Sequence, residues 1–261
     1  MPDIVLSTGS FYPNTELGFR MAAEHGYDGV EVMVTHDRKS QTVDDVRDLM
    51  ARYDMPVRAI HVPCLVVTQH VWGWNPDGKL RRSYDMALAV GADVVVVHPP
   101  FRWQREYADV FLALVRELDS RPDGPSVAVE NMYTVAALGR RHDPYLCNDD
   151  PSYAAFDSLT LDTSHVAAAR QDLLEQYQRM AGRIRHLHLS DSTASRGDEH
   201  LPPGQGTLPL HQLADTLMAD GFDGQVVLEV AIGRLPDGVR TATAGECRAW
   251  AAEAFGTVSS R

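Results

Sequence analysis

The sequence predicts a (β/α)8 barrel from three observations. Short apolar runs rich in β-branched residues alternate with amphipathic segments, which is typical of parallel α/β proteins. Eight such units fit into 261 residues, and this number favours a closed barrel over an open, doubly wound sheet. No G-x-G-x-x-G pattern follows the first apolar run, so the sequence does not support a dinucleotide-binding fold.

The strands are recognised by a repeated change of pattern. A helical segment stops at a glycine, as at Gly26, Gly91, Gly182 and Gly221, and a β-branched run begins a few residues later. Glycine suits the left-handed residue that closes a helix. Runs such as VVVV are apolar throughout, as expected for strands buried on both faces. The predicted strands are 3–7, 28–33, 57–62, 93–98, 126–131, 158–163, 184–190 and 225–231.

Amphipathic helices are predicted between these strands. Apolar residues recur at i, i+3 and i+4 spacing from Tyr107 to Leu118, and the same spacing holds in 43–53 and 210–217. No linker or low-complexity run divides the chain. We therefore expect one barrel domain that spans residues 1–261.

The composition is that of a globular protein with an acidic surface. The hydrophobic share is 44%, the charged share is 23% and the formal net charge is −12. This charge does not favour nucleic acid as a partner. The 3 cysteines are too few for a disulfide framework, and no long apolar segment is present. We expect a cytoplasmic protein that binds a small molecule, and neither nucleic acid nor a membrane. Assembly into a homo-oligomer stays open.

Titratable residues lie at the carboxyl ends of most predicted strands. In a barrel these ends meet at one face, where active sites lie, so the side chains should converge. Several buried carboxylates need a compensating cation, and imidazole with carboxylate suits zinc, manganese, iron or magnesium. We therefore predict a divalent-metal site at this face. The residues, from the second strand to the eighth, are Glu31, His61, His98, Glu130, Asp162, His165, His186, His188, Asp191 and Glu229.

Individual members of this set also have ordinary structural explanations. A histidine at one strand end is commonly a hydrogen-bonded polar residue and not a ligand. Glu31 pairs with a lysine or arginine, or it binds substrate. His186 and His188 point the same way because they lie two apart in a strand, so spacing does not decide between them. The succession of such residues over neighbouring strand ends is what favours a metal.

The segment GDEHLPPGQG (197–206) follows the seventh strand and is predicted to return over the same face. Asp198 and His200 are two residues apart and should face the cavity beside His165, where they bind a metal or a substrate hydroxyl. Prolines and glycines fix the path of this loop. Trp72, Trp74 and Trp103 lie in loops after the third and fourth strands. They stack on a sugar face or only pack within the loops.

The segments AVEN, LTLDTSH, LHLSDS, DEHLPPGQG and VVLEV, in this order and over nearly the whole chain, carry a resemblance. The sequence resembles the xylose isomerase-like TIM barrel superfamily. That group includes sugar-phosphate isomerases and epimerases, inosose dehydratases and endonuclease IV-type AP endonucleases. The resemblance implies a single (β/α)8 barrel with a divalent metal cofactor, which is zinc, manganese or magnesium in one to three ions.

The resemblance also implies roles for particular residues. The epimerase pattern implies Glu130, Asp162, His188 and Glu229 as metal ligands, with Glu130 and Glu229 acting in acid–base catalysis and His165 contacting substrate. It favours His188 over His186, because the superfamily histidine precedes an L-x-D element. The endonuclease pattern implies three zinc ions. Their ligands would be His61, His98 and Glu130 for the first, Glu130, Asp162, His188 and Glu229 for the second, and His165, Asp198 and His200 for the third.

Two departures from the superfamily patterns bear on the reaction. The segment VPCLVV after His61 lacks the aromatic residue that the DNA-repair enzymes insert into the duplex. The arginine that several ketose epimerases carry is absent from 189–195, and Arg196 is the nearest candidate for substrate binding. We expect an isomerase or epimerase of a small sugar, sugar phosphate or related polyhydroxy carbonyl compound. An AP endonuclease, a dehydratase or lyase, and a non-catalytic binding barrel are the alternatives.

Overall fold

Parallel strands close into a barrel of 8 strands in the computed structural model, which describes residues 1–137, 140–146, 150–195 and 197–256. In order around the barrel they are β1 (Asp3–Ser7), β2 (Gly29–Met33), β3 (Val57–His61), β4 (Val94–Val97), β5 (Ser126–Glu130), β8 (Leu159–Asp162), β9 (Ile184–Leu189) and β10 (Gln225–Leu228), which pairs with β1. The predicted (β/α)8 fold is confirmed, although the last strand ends at Leu228 and not at 231. The short hairpin of β6 (Val135–Ala137) and β7 (Arg140–His142), which follows β5, was not predicted.

Helices cover the outside of the barrel. They are α1 (Thr15–His25), α2 (Val43–Tyr53), α3 (Pro76–Val90), α4 (Arg105–Asp119), α5 (Thr163–Ala169), α6 (Leu173–Met180), α7 (Leu210–Ala219) and α8 (Asp237–Gly256). Gly26 and Gly91 close α1 and α3 in the left-handed conformation, with φ of 66° and 75°, as predicted. No helix in the described part of the chain is long and apolar enough to span a bilayer.

The alternation of side chains along the strands separates the barrel interior from its outer core. Val95 and Val97 of β4 pack outwards into the large apolar core between the strands and the helices. Val94 and Val96 instead pack with Ala59 and Ala128 in a second cluster of small residues. Because strand side chains repeat every two residues, β3 and β5 place His61 and Glu130 one step beyond this cluster. The small residues thus lie below a polar layer at the carboxyl ends of the strands.

Candidate metal centre

Four side chains converge in the barrel mouth, and we call them the carboxylate cluster: Glu130, Asp162, His188 and Glu229. Glu130 and Asp162 end β5 and β8, His188 lies in β9, and Glu229 directly follows β10. His188 Nδ1 lies 3.0 Å from Glu130 Oε1 and 3.1 Å from Glu229 Oε2. Asp162 Oδ2 lies 3.5 Å from the same nitrogen. One imidazole nitrogen is therefore surrounded by the oxygens of several carboxylates.

The carboxylate cluster fits a divalent cation. Asp162 Oδ2 is buried and has no hydrogen-bond partner among the described residues. Burial raises the pKa of Glu229. Burial would favour a neutral His188, but the nearby carboxylates, Glu31 foremost, raise the pKa of His188 well above its usual value. The carboxylates thus favour a positive charge at this point, and an ion bound to an imidazole nitrogen and carboxylate oxygens would supply it in place of the imidazole proton.

Glu31 orients His188 from below. Its Oε2 lies 3.0 Å from His188 Nε2, and because the carboxylate accepts, this nitrogen carries the proton and Nδ1 is left to face the cluster. The same oxygen lies 2.9 Å from His186 Nε2, and Ser7 Oγ donates to the other oxygen at 2.8 Å. Glu31 is fully buried. Glu31 pairs with two histidines, which corrects its predicted pairing with a lysine or arginine. Of these two histidines, His188 is the one that joins the carboxylate cluster.

Asp162 has two structural tasks because it also begins α5. Its Oδ1 caps the helix by accepting from the backbone N–H of His165 at 2.8 Å. This leaves Oδ2 for the carboxylate cluster. Asn131 fixes the position of Asp162, since its side chain accepts from Asp162 N at 2.7 Å and donates to Asp162 O at 3.0 Å. The helix cap therefore holds the aspartate and His165 in one rigid unit.

A second set of ligand-type side chains lies beside β3 and β4, and we call it the thiol cluster: His61, Cys64 and His98. His61 Nε2 and His98 Nε2 lie 3.4 and 2.9 Å from Glu130 Oε2. Cys64 was not among the predicted site residues, although it follows His61 by three positions. Burial would raise the pKa of the Cys64 thiol, but His98 and His61 outweigh that effect and lower it to about 6. Glu130 links the two clusters, since its Oε1 faces His188 and its Oε2 faces His61 and His98.

The third set of ligand-type side chains is Asp162, His165 and His200, and Asp198 lies against both rings. We call His165, Asp198 and His200 the rim cluster. His165 Nε2 lies 3.6 Å from Asp198 Oδ2, and His200 Nε2 lies 3.0 Å from the Asp198 carboxylate. Both rings donate through Nδ1 to backbone carbonyls, at 2.9 Å for His165 and 3.0 Å for His200. Burial would lower the pKa of His165, but Asp162 and Asp198 raise it to about 10. The loop thus brings Asp198 and His200 to the mouth beside His165, as its spacing predicts.

Contacts at both ends hold the loop that carries the rim cluster. Ser164 Oγ donates to Asp198 Oδ1 at 2.7 Å and accepts from the backbone N–H of His200 at 3.1 Å. Asp191 accepts from the N–H groups of Gly204 and Leu208 at 3.0 and 3.1 Å, so it acts on the loop and not in the cavity. A Cβ at Gly206 would lie 2.3 Å from Asp191 Oδ1. Glycine is therefore required at this close approach.

The predicted aromatic substrate contacts divide into two kinds. Trp72 Nε1 donates to the Gln41 carbonyl at 3.2 Å, and the Arg82 guanidinium lies 4.4 Å from its ring centroid. Trp72 thus packs within the loops, which is one of the two roles that the sequence leaves open for it. Trp74 and Trp103 are 66% and 59% exposed and line a cavity of about 600 Å³ that reaches Cys64 and His98. Arg196 and Cys147 lie outside the described residues.

Fold and mouth together define a (β/α)8 protein whose strand ends carry ligand-type side chains. Residues 19–252 match the family described as xylose isomerase-like TIM barrel. The chain therefore belongs to that family, as its sequence segments indicate.

Known proteins similar to this chain include one without a characterised activity. That protein, from Mycobacterium leprae, is 42% identical in an alignment that covers 92% of this chain and 91% of the relative. Fructoselysine 3-epimerase of Escherichia coli O157:H7 is 23% identical in an alignment that covers 82% of this chain and 85% of the epimerase. The crystal structure of an IolI protein with a binding zinc atom aligns with a TM-score of 0.72 and 18% identity over 99% of this chain and all of that one. At this identity the likeness shows the fold alone.

Proposed function

We propose that the protein is a divalent-metal-dependent isomerase or epimerase of a small sugar, a sugar phosphate or a related polyhydroxy carbonyl compound. One observation carries the proposal. The carboxylates of Glu130 and Glu229 approach the same His188 nitrogen from different strands, at 3.0 and 3.1 Å. Two carboxylates at one cation site can move a proton between two faces, or two carbons, of a substrate held between them. The family and its epimerase relative agree with this reaction class.

Glu229 is proposed as the base that faces the substrate. Its side chain is 13% exposed, whereas that of Glu130 is 1% exposed, so a substrate in the cavity reaches Glu229 more readily. Burial raises the pKa of Glu229, which suits a group that takes a proton from carbon and holds it. Glu130 is proposed to return a proton from its own side of the cluster. It must first take that proton from a neighbouring histidine, because burial would raise the pKa of Glu130 but His188 and His98 hold it well below the usual value. Glu130, Asp162, His188 and Glu229 would hold the ion, which would supply Lewis acidity at the substrate carbonyl.

The remaining predicted residues are proposed to bind and orient the substrate or a further ion. His165 is proposed to donate to a substrate hydroxyl, and Trp74 and Trp103 to cover an apolar sugar face. Asp198 and His200 are proposed to hold an additional ion or a hydroxyl. Counting the bound ions distinguishes these two roles. If the Asp198→Ala protein keeps the full metal content, Asp198 holds no ion, and contact with a substrate hydroxyl is the role that remains. Arg196 stays a candidate for substrate binding.

Incision of abasic DNA is the second candidate because three clusters of ligand-type residues adjoin one another in the mouth. The net charge of −12 opposes the approach of a polyanion, and no aromatic wedge follows His61. We therefore expect no useful cleavage of an abasic-site duplex. Efficient incision that is lost in His61→Ala would replace the isomerase proposal.

The isomerase proposal is tested by proton exchange. The metal-loaded protein is incubated in D2O with a panel of ketoses, aldoses, their phosphates and keto acids. NMR should show deuterium entering next to the carbonyl of one substrate. Glu229→Gln should slow this exchange at least about a hundredfold, while Glu24→Gln, an exposed glutamate on α1, should not. Near-native exchange by a fully metal-loaded Glu229→Gln protein would exclude Glu229 as the base. Loss of a β-hydroxyl in place of isomerisation would indicate a dehydratase.

A further inference from the structure

The chain turns back directly after β3, and this turn returns a sulfur atom to the barrel mouth. The backbone N–H of Cys64 donates to the Val62 carbonyl at 2.7 Å, and its Sγ lies 3.1 Å from the same oxygen. The nitrogen or sulfur ligand atoms of His61, Cys64 and His98 all lie within 4.8 Å of one another. A tight turn therefore assembles three metal-ligand side chains at the ends of two adjacent strands.

The histidines of the thiol cluster present their nitrogens to a common point. His61 Nδ1 lies 3.0 Å from the Val62 carbonyl, which can only accept, so Nδ1 carries the proton and Nε2 keeps its lone pair. This Nε2 and that of His98 both approach Glu130 Oε2. Oε2 is buried without a hydrogen-bond partner in the described ranges, as is His98 Nδ1. Such backbone anchoring of a histidine is what metal sites use to fix the ring.

The chemistry of these donors selects the kind of ion. Two imidazoles and a thiolate are ligands that zinc accepts in tetrahedral sites, and a carboxylate can complete the set. Sulfur is a poor ligand for magnesium and manganese, which prefer oxygen. The cavity beside Trp74 and Trp103 extends to Cys64 and His98, so an ion can reach the cluster from outside.

We propose that Cys64 is a metal ligand, and that His61, Cys64 and His98 form a zinc-selective site completed by Oε2 of Glu130. The resemblance implies the two histidines and the glutamate in one of its patterns, whereas the sulfur ligand comes from this chain's own geometry. The site extends beyond the proposed function, because it does not depend on which substrate is converted. Its test reads the metal–sulfur bond and not turnover.

Cobalt(II) is the probe, because a thiolate bound to it gives an intense near-ultraviolet charge-transfer band that oxygen and nitrogen ligands do not give. The full-length protein, stripped of metal and titrated with cobalt, should show this band, and zinc should abolish it. Cys64→Ser should lose it and bind zinc at this site at least about tenfold more weakly. Cys247→Ser and Cys147→Ser are matched controls that should keep it. Glu229→Gln should also keep it, which separates this site from the proposed reaction.

A second measurement covers the case in which Cys64→Ser does not fold. Zinc-edge X-ray absorption on the unaltered, zinc-loaded protein should show a sulfur neighbour at about 2.3 Å. Cobalt saturation without the near-ultraviolet band, or a band that survives in Cys64→Ser, would overturn the proposal. So would a zinc spectrum that contains only nitrogen and oxygen neighbours.

Discussion

The two sides of the barrel mouth use different donor atoms around one shared glutamate. On the β8–β10 side, carboxylates surround Nδ1 of His188. On the β3–β4 side, the imidazoles of His61 and His98 approach Oε2 of Glu130, and the Cys64 thiol lies beside these imidazoles. Carboxylate oxygens accept hard and borderline cations and can also carry protons, whereas a nitrogen–sulfur set favours borderline and soft cations. One barrel face can therefore carry a group of side chains suited to proton transfer beside a second group suited to retaining an ion.

The largest effect should come from Glu130→Gln, because this change affects both sides at once. Oε1 faces His188 and Oε2 faces His61 and His98. We expect turnover to fall at least about a hundredfold, and metal to be lost from both sides after gel filtration, as measured by mass spectrometry. Glu229→Gln is the control, since it should lose turnover but keep the cobalt–sulfur band. Full metal content in Glu130→Gln would show that the two sides do not share this ligand.

A smaller and one-sided effect is expected from Glu31→Gln. Glu31 accepts from His188 Nε2 at 3.0 Å and so fixes the tautomer that faces the carboxylate cluster. Loss of such a partner commonly weakens metal binding about 10–100-fold. Chelator competition should show this loss on the carboxylate side alone, with the cobalt–sulfur band unchanged. Equal weakening on both sides would indicate general damage to the barrel and not a role in orienting His188.

The smallest effect is expected outside the mouth, at Glu16 of α1. This glutamate contacts Lys39, Tyr53 and Arg52, and these contacts, that of Lys39 foremost, lower its pKa to about 2. Because the pKa in the folded state is lowered, the stabilisation is present above the usual value of 4.5 and is lost as the pH falls towards 2. Solvent screens these exposed contacts, so the stabilisation that they contribute is small.

In calorimetry at neutral pH, Glu16→Gln should lower Tm by no more than about 4 °C. Glu24→Gln, which loses one exposed pair with Arg20 on the same helix, should lower it less. The difference between the two variants should shrink at pH 2. If Glu16→Gln lowered Tm more than Glu130→Gln or Glu31→Gln does, this would contradict the view that exposed ion pairs contribute little to the stability of this protein.

The sequence predicts the strands and most of the mouth because both follow local rules. Side chains alternate along a strand and parallel strands end at one face, so Glu130, Asp162 and His188 are expected to meet. The residues that orient these side chains are harder to predict from such local rules. Glu31 reaches a histidine 157 positions away, across the barrel interior, which no local pattern encodes.

Loop residues were the least predictable part of the site. Cys64 reaches the mouth through the turn in which its backbone N–H donates to the Val62 carbonyl. One cysteine in an apolar segment of the sequence does not predict such a turn. Trp72 resembles Trp74 in sequence context, yet its indole N–H is used by the Gln41 carbonyl. The side chains of loops depend on contacts that spacing does not specify.

The two oxygens of Glu130 have a consequence for the order in which ions are taken up. A single negative charge serves both sides of the mouth, so an ion on one side reduces the attraction available to an ion on the other. If the proposed ions bind on both sides, the two binding equilibria are linked with negative cooperativity. Zinc bound beside Cys64 would lower the affinity of the carboxylate cluster for its ion by some factor. By thermodynamic reciprocity, an ion in the carboxylate cluster would lower the affinity for zinc by the same factor. The metal content of the protein would therefore follow the relative supply of both ions and not the affinity of either side alone.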